Sequence, residues 1–206
     1  MNPKVLPPDA WSVVKALDRK NLLEGWILAG GTALALQLGH RVSADLGFFT
    51  SGEFDPQDLR VRLAAAGSLE VVDMASGTLH TRLRGLRLSH LRSEVPFLFE
   101  PTLYRGLRLA DVRDIAAMKV IAVAGRGSRK DFIDLYAYLE AGGTFPDLMR
   151  TVEQRYRDTR FNEMHLLRSL VYFDDAEDEP MPRMLWKVDW SEVRARFEEE
   201  VRQWAP

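Results

Sequence analysis

The stretch WILAGGTALALQLGHRVSADLGFFT, residues 26–50, is where the fold is decided. Trp26 to Ala29 form a short apolar run that ends in the paired glycines Gly30 and Gly31. The residues after them, Thr32 to Leu38, have helical composition and are closed by Gly39. The aromatic segment Asp45 to Thr50 then reads as a second strand lying beside the first. Strand, glycine turn, helix and strand follow one another within 25 residues.

Working outward, Pro7-Pro8-Asp9 reads as a turn and cap entering an amphipathic helix that Gly25 ends, with Trp11, Val14, Leu17 and Leu22 or Leu23 on one side. After the second strand, Asp55 offers an N-cap, Pro56 a first helical position and Gly67 a stop. Three β-like segments follow, Leu69–Ala75, Thr78–Arg84 and Leu86–Arg92, separated by Ser76-Gly77 and by Gly85. Such short connections predict hairpins and an antiparallel extension of the sheet. Beyond Pro101 the chain is expected to turn and become mostly helical, over 111–124, 130–140, 145–156, 162–173 and 189–204. This order is an α+β pattern.

Composition narrows the function. The 206 residues are 46% hydrophobic and 28% charged, which suits one folding unit, and no apolar run approaches the roughly 18 residues of a membrane span. The first residues have neither a basic start with an apolar stretch nor a small-residue cleavage site, so a cytoplasmic location is expected. With no cysteine, disulfides, thiolate nucleophiles and cysteine zinc sites are excluded, and the four histidines form no HxxxH or HExxH pair. The formal charge of −2 hides an asymmetry: from Arg82 to Lys130 eleven Lys/Arg face four acids, whereas Asp174 to Glu179 reads DDAEDE. A basic centre suits phosphate or nucleic acid, or else is a solvated sheet face. The acidic run, with EPMPRML after it, reads as a surface loop, as a dock for a basic partner or as a metal trap.

Glycines between a strand and a helix let backbone approach a phosphate, and the helix N-terminus supplies free N–H donors; a tight turn without ligand has the same signature. The next element, His40 to Asp45, leads into the neighbouring strand, so Asp45 is expected to emerge near the glycine turn. Together with Asp114–Lys119, Arg126–Tyr136 and His165–Glu177, the segments Gly30–Leu36 and Gly39–Leu46 resemble, in order, motifs of the AbiEii/AbiGii-type nucleotidyltransferase toxins of type IV toxin–antitoxin systems. The resemblance spans nearly the whole chain. It implies a single nucleotidyltransferase-like domain over residues 1–206, with a mixed sheet flanked by helices to about residue 110 and a C-terminal helical annex from about 111.

It also implies chemistry: transfer of a nucleoside monophosphate from an NTP, with Mg²⁺, to an acceptor such as tRNA or a protein, and a cognate antitoxin as partner. By resemblance, Asp45, Lys119 and Asp131 are catalytic, Gly30, Gly31, Thr32, Arg41, Ser43, Arg129 and Lys130 bind nucleotide, and Asp45 ligates the metal. The family grips Mg²⁺ with Asp-x-Asp, because residues i and i+2 of a strand face the same side. Here the second position is Gly47, and the later strand offers Ser89 and His90 in place of a carboxylate. The alternative is therefore a degenerate relative that binds nucleotide, RNA or antitoxin without turnover. Helical spacing puts Lys119 on or beside the stripe of Ile115, Met118 and Ala122, where it needs a partner or snorkels from the edge. Asp131 could also serve the first turn of its own helix.

Overall fold

The computed structural model describes residues 1–159 and 162–204. Helix α1 (Pro8–Asp18) precedes the unit read from the glycine turn: β1 (Ile27–Ala29), α2 (Gly30–Leu38) and β2 (Leu46–Thr50). Gly30 and Gly39, at the two ends of α2, both have φ +72°, which L side chains rarely adopt. β1 and β2 are neighbours and antiparallel, with Ala29 opposite Gly47. The end of β1 and the start of β2 therefore lie together, and Asp45 stands beside the glycine turn as expected.

Next come α3 (Pro56–Ala64), β3 (Leu69–Ala75), β4 (Thr78–Leu83), β5 (Leu86–Arg92), β6 (Thr102–Tyr104) and β7 (Leu107–Leu109). Asp55 caps α3 by accepting the Gln57 N–H at 2.8 Å. The seven strands form one mixed sheet in the order β3-β4-β5-β2-β1-β7-β6, with β2 parallel to β5 and β1 parallel to β7. Leu46 and Phe48 point into the core, so alternation puts Gly47 and Phe49 on the opposite face, and Asp45, just before the strand, is in phase with them.

The helical part comprises α4 (Val112–Arg126), α5 (Arg129–Glu140), α6 (Phe145–Tyr156), α7 (Glu163–Leu170), α8 (Asp174–Glu177) and α9 (Trp190–Trp204). Two apolar clusters result: one joins the sheet with α1, α2 and α3, the other joins α4 to α9, and Val112 packs against both. Asp114 is fully buried, pairs with Arg155, and accepts the N–H groups of Leu98 and Phe99 at 3.0 Å each. That pins the segment crossing from β5 to β6 against the helices.

Three expectations are corrected. α1 stops at Asp18 and does not run to Gly25, because Asn21 takes φ +53° and Leu22 N–H returns to the Leu17 carbonyl at 3.0 Å. After Pro101 the chain first makes the β6–β7 hairpin, turned by Arg105 and Gly106 with φ +50° and +83°. The acidic run is not wholly loop: Asp174–Glu177 form a short helix.

Candidate functional site

Where the glycine turn, the start of β2, α4, α5 and the segment after α8 meet, they enclose a cavity of about 860 Å³. Gly31, Thr32, Arg41, Ser43, Asp45, Lys119, Lys130 and Asp131, all expected at the site, line it. Gly30 supplies the backbone bend behind the wall. Arg129 is turned away: its guanidinium donates to the Ala176 and Glu177 carbonyls at 2.8 and 2.7 Å and lies 4.7 Å over the Trp190 ring. Its backbone N–H goes to Glu179 Oε2 at 2.8 Å, so the structure places Arg129 as the clamp on the acidic run and not on the cavity wall.

The centre of the site is a buried ion cluster that the sequence reading left incomplete. Asp134, fully buried, accepts from His40 Nε2 at 2.8 Å and from Arg41 Nε and Nη2 at 2.7 and 2.9 Å, with Lys119 Nζ 2.7 Å away. A carboxylate only accepts, so His40 carries its proton on Nε2. Asp131 receives Lys119 Nζ at 2.6 Å, Arg126 Nε at 3.0 Å and Ser128 Oγ at 2.8 Å. Burial would raise both carboxyls, but Lys119 with Arg41 at Asp134, and Lys119 with Arg126 at Asp131, hold them below the usual carboxylate range. For Lys119, burial pulls the ammonium down and the two aspartates more than restore it, so it stays charged. The partner this lysine needed is thus a pair of carboxylates one helical turn apart.

The glycine turn has a second purpose. A Cβ on Gly31 would collide with the Arg41 guanidinium and come within 3.0 Å of Asp134 Oδ2, so the missing side chain makes room for the Arg41–Asp134 pair. Thr32 is buried as well: its hydroxyl reaches the Asp45 carbonyl at 2.5 Å, which leaves Ser43 Oγ, 2.6 Å away, as the donor to Thr32. This bond fixes the first turn of α2 to the 43–45 segment and presents the Asp45 carboxylate, which is exposed in the cavity. Lys130 and Arg183 also face the cavity, and neither has an ion-pair partner among the described residues. They are the cations available to an incoming anion without breaking a salt bridge.

Gly47 lies on β2 between Ala29 and Ser89. A Cβ there would meet only the Phe49 ring at 3.4 Å and the Ala29 carbonyl at 3.7 Å, so a side chain fits. Ser89 is hydrogen-bonded to His80 Nδ1 at 2.8 Å, and no carboxylate occupies this face of β5. Among the described residues no three of His, Cys, Asp and Glu converge on a common point. The donor set does not fit a resident divalent cation. It fits one that arrives coordinated by a triphosphate and adds Asp45, since Mg²⁺ commonly takes one or two carboxylates with phosphate and water.

His40, Arg126, Ser128, Asp134, Glu179 and Arg183 are the site residues the sequence reading did not assign. Asp134 carried a signal, being three residues after Asp131 on one helix. Arg183 carried none, because it reaches the cavity from a loop.

Mixed α/β architecture, the glycine turn and the acidic residue just before the adjoining strand define a nucleotidyltransferase fold. Among solved structures, MenT4, a nucleotidyltransferase toxin of Mycobacterium tuberculosis H37Rv, is similar at TM-score 0.54 and 15% identity, covering 95% of this chain and 84% of that one. JHP933 of Helicobacter pylori is similar at TM-score 0.57 and 18% identity, over 96% and 92%. The antibiotic-resistance factor ANT(2'')-Ia is similar at TM-score 0.54 and 15% identity, over 72% and 89%. The profile of the family described as nucleotidyl transferase AbiEii toxin, type IV TA system, matches residues 12–205, and the chain belongs to that family. An uncharacterised protein of Aquifex aeolicus (strain VF5) is 34% identical over 182 residues, 86% of each chain.

Proposed function

We propose that the chain transfers a nucleoside monophosphate from an NTP to an acceptor hydroxyl, such as the 3′ end of a tRNA, and does so in the cytoplasm. The observation that carries this reading is the convergence of Asp45, Lys119, Asp131 and two uncommitted cations on one nucleotide-sized cavity. Lys130 and Arg183 would receive the triphosphate first, and Mg²⁺ would come with it and meet Asp45. Lys119 and Arg126 would then exchange Asp131 for phosphate oxygens, which raises the proton affinity of Asp131. The acceptor hydroxyl attacks the α-phosphorus, its proton passes to Asp131, and the bond to the β-phosphate oxygen breaks as pyrophosphate leaves. Membership of a type IV toxin family supports a cognate antitoxin as partner.

Gly47 favours a second reading, a relative that binds nucleotide and no longer turns it over. The two separate in one experiment: total tRNA and each α-labelled NTP incubated in Mg²⁺ with the unaltered protein, Gly47→Asp and Asp131→Asn. Labelled tRNA from the unaltered protein, lost in Asp131→Asn, establishes transfer with one strand carboxylate. Labelling only by Gly47→Asp assigns the unaltered chain to binding. If the label goes to protein instead, the acceptor is a side chain.

A further inference from the structure

On the same face of the sheet as Asp45, at the other end of β2, lies a second cavity of about 310 Å³. Phe49, Phe97 and Phe99 line it together with Ile27, Glu100 and Arg108. Phe49 and Phe97 meet edge to face at 6.4 Å. Two of the rings are held by arginines, Phe97 by the buried Arg155 at 4.5 Å and Phe99 by the exposed Arg113 at 3.6 Å, while Asp114 fixes the backbone of Leu98 and Phe99. These rings are therefore preorganised, and they remain half-exposed. Arg108 is exposed and has no ion-pair partner among the described residues.

We infer that this cavity is a subsite for an unpaired nucleobase near the end of a single-stranded nucleic-acid acceptor. Rings that present a face or an edge, beside a free guanidinium, are the chemistry that takes a planar base and its phosphate. The placement matches. Asp45 and Phe49 are in phase on β2 and stand about 13 Å apart at strand rise, a span that the last residues of an extended strand cover. Between them on that face β2 carries only Gly47, half-exposed and without a side chain to block the path. With a terminal hydroxyl at Asp45, a preceding base comes to the Phe49–Phe97–Phe99 cavity and its phosphate to Arg108. The inference rests on the transfer reading above and gives its acceptor a docking point outside the nucleotide cavity.

The test measures binding and not turnover. Fluorescence anisotropy is read for a labelled RNA hexamer ending in a 3′-deoxy residue, its DNA counterpart, and the same RNA with abasic residues at its end. The proteins are the unaltered chain, Phe99→Ser and Arg108→Glu, each checked for an unchanged melting temperature and unchanged binding of an Mg²⁺-bound, non-hydrolysable NTP analogue. The unaltered chain is expected to hold a base-bearing strand about tenfold tighter than the abasic one. Phe99→Ser should lose that difference, and Arg108→Glu should weaken both strands. Equal affinity for abasic and base-bearing strands, or no effect of either substitution, overturns the inference. So does an unaltered chain that binds the NTP analogue and a short unstructured peptide but no single strand, which leaves transfer to a protein standing. Failure to bind the NTP analogue is the separate failure of the nucleotide cavity.

Discussion

His90 sits fully buried between the Phe48 ring, stacked at 5.1 Å, and the Trp26 ring, edge-on at 4.8 Å, and neither of its nitrogens has a hydrogen-bond partner among the described residues. Burial pushes its imidazole down to about 3 from an ordinary value of 6.5. The folded protein keeps it neutral, whereas the unfolded chain takes up a proton below about pH 6.5, so acid favours unfolding. The stability this group permits is complete above pH 6.5 and falls by about 1.4 kcal/mol per pH unit on the way down to its folded value. Urea unfolding at pH 7.5, 5.5 and 4.5 should show that loss in the unaltered chain, and His90→Phe should remove most of this part of the slope. A variant with an unchanged slope would place the acid sensitivity elsewhere.

Helix α5 brings two carboxylates to the site that differ in kind. Asp134 faces inward to Arg41 and Lys119, both buried, so Asp134→Asn takes from Arg41 its ion-pair partner among the described residues and from Lys119 one of two, and is expected to cost about 3 kcal/mol or more. Arg126, by contrast, is 68% exposed in its pair with Asp131. Its loss in Arg126→Ala should change stability by less than about 1 kcal/mol while weakening nucleotide binding. Chemical denaturation and an NTP-binding isotherm, run on both variants, check the pair of outcomes. The elements themselves were legible where punctuation was strong, as at Asp55-Pro56 and Gly39. The β6–β7 hairpin escaped although Arg105-Gly106 repeats the Arg84-Gly85 turn of β4–β5, because three-residue strands carry too little alternation to register. Within the site, Asp45, Lys119 and Asp131 were readable from ordered motifs. The Arg41–Asp134 pair was not, since nothing local tells which of several arginines a buried aspartate will meet across the fold.

At the scale of the molecule, the cavity is closed by a strap that leaves α8, passes Glu179, Pro180, Pro182 and Arg183, and is tied at both ends. Arg129 and the backbone of α5 hold one end. At the other, Val42 N–H bonds the Arg183 carbonyl and Leu185 N–H bonds the His40 carbonyl, each at 2.8 Å, in a bridge of Arg41 with Met184. Removing the guanidinium part of the first tie with Arg129→Ala, which leaves at that end the backbone N–H of residue 129 on Glu179, should leave the sheet intact and loosen the strap, so that trypsin cuts after Arg183 or Lys187 well before the rest of the chain. Mass spectrometry of a digestion time course reads this, and unchanged cleavage order would mean that the bridge and the backbone bond to Glu179 suffice without the guanidinium.

The bridge from residues 40–42 to 183–185 also sets a schedule for synthesis. The residues of β1, α2 and β2 are translated well before the strap that carries Arg183. A chain interrupted between β2 and the strap lacks one side of the cavity, so the finished site exists only once residues 183–185 have joined residues 40–42.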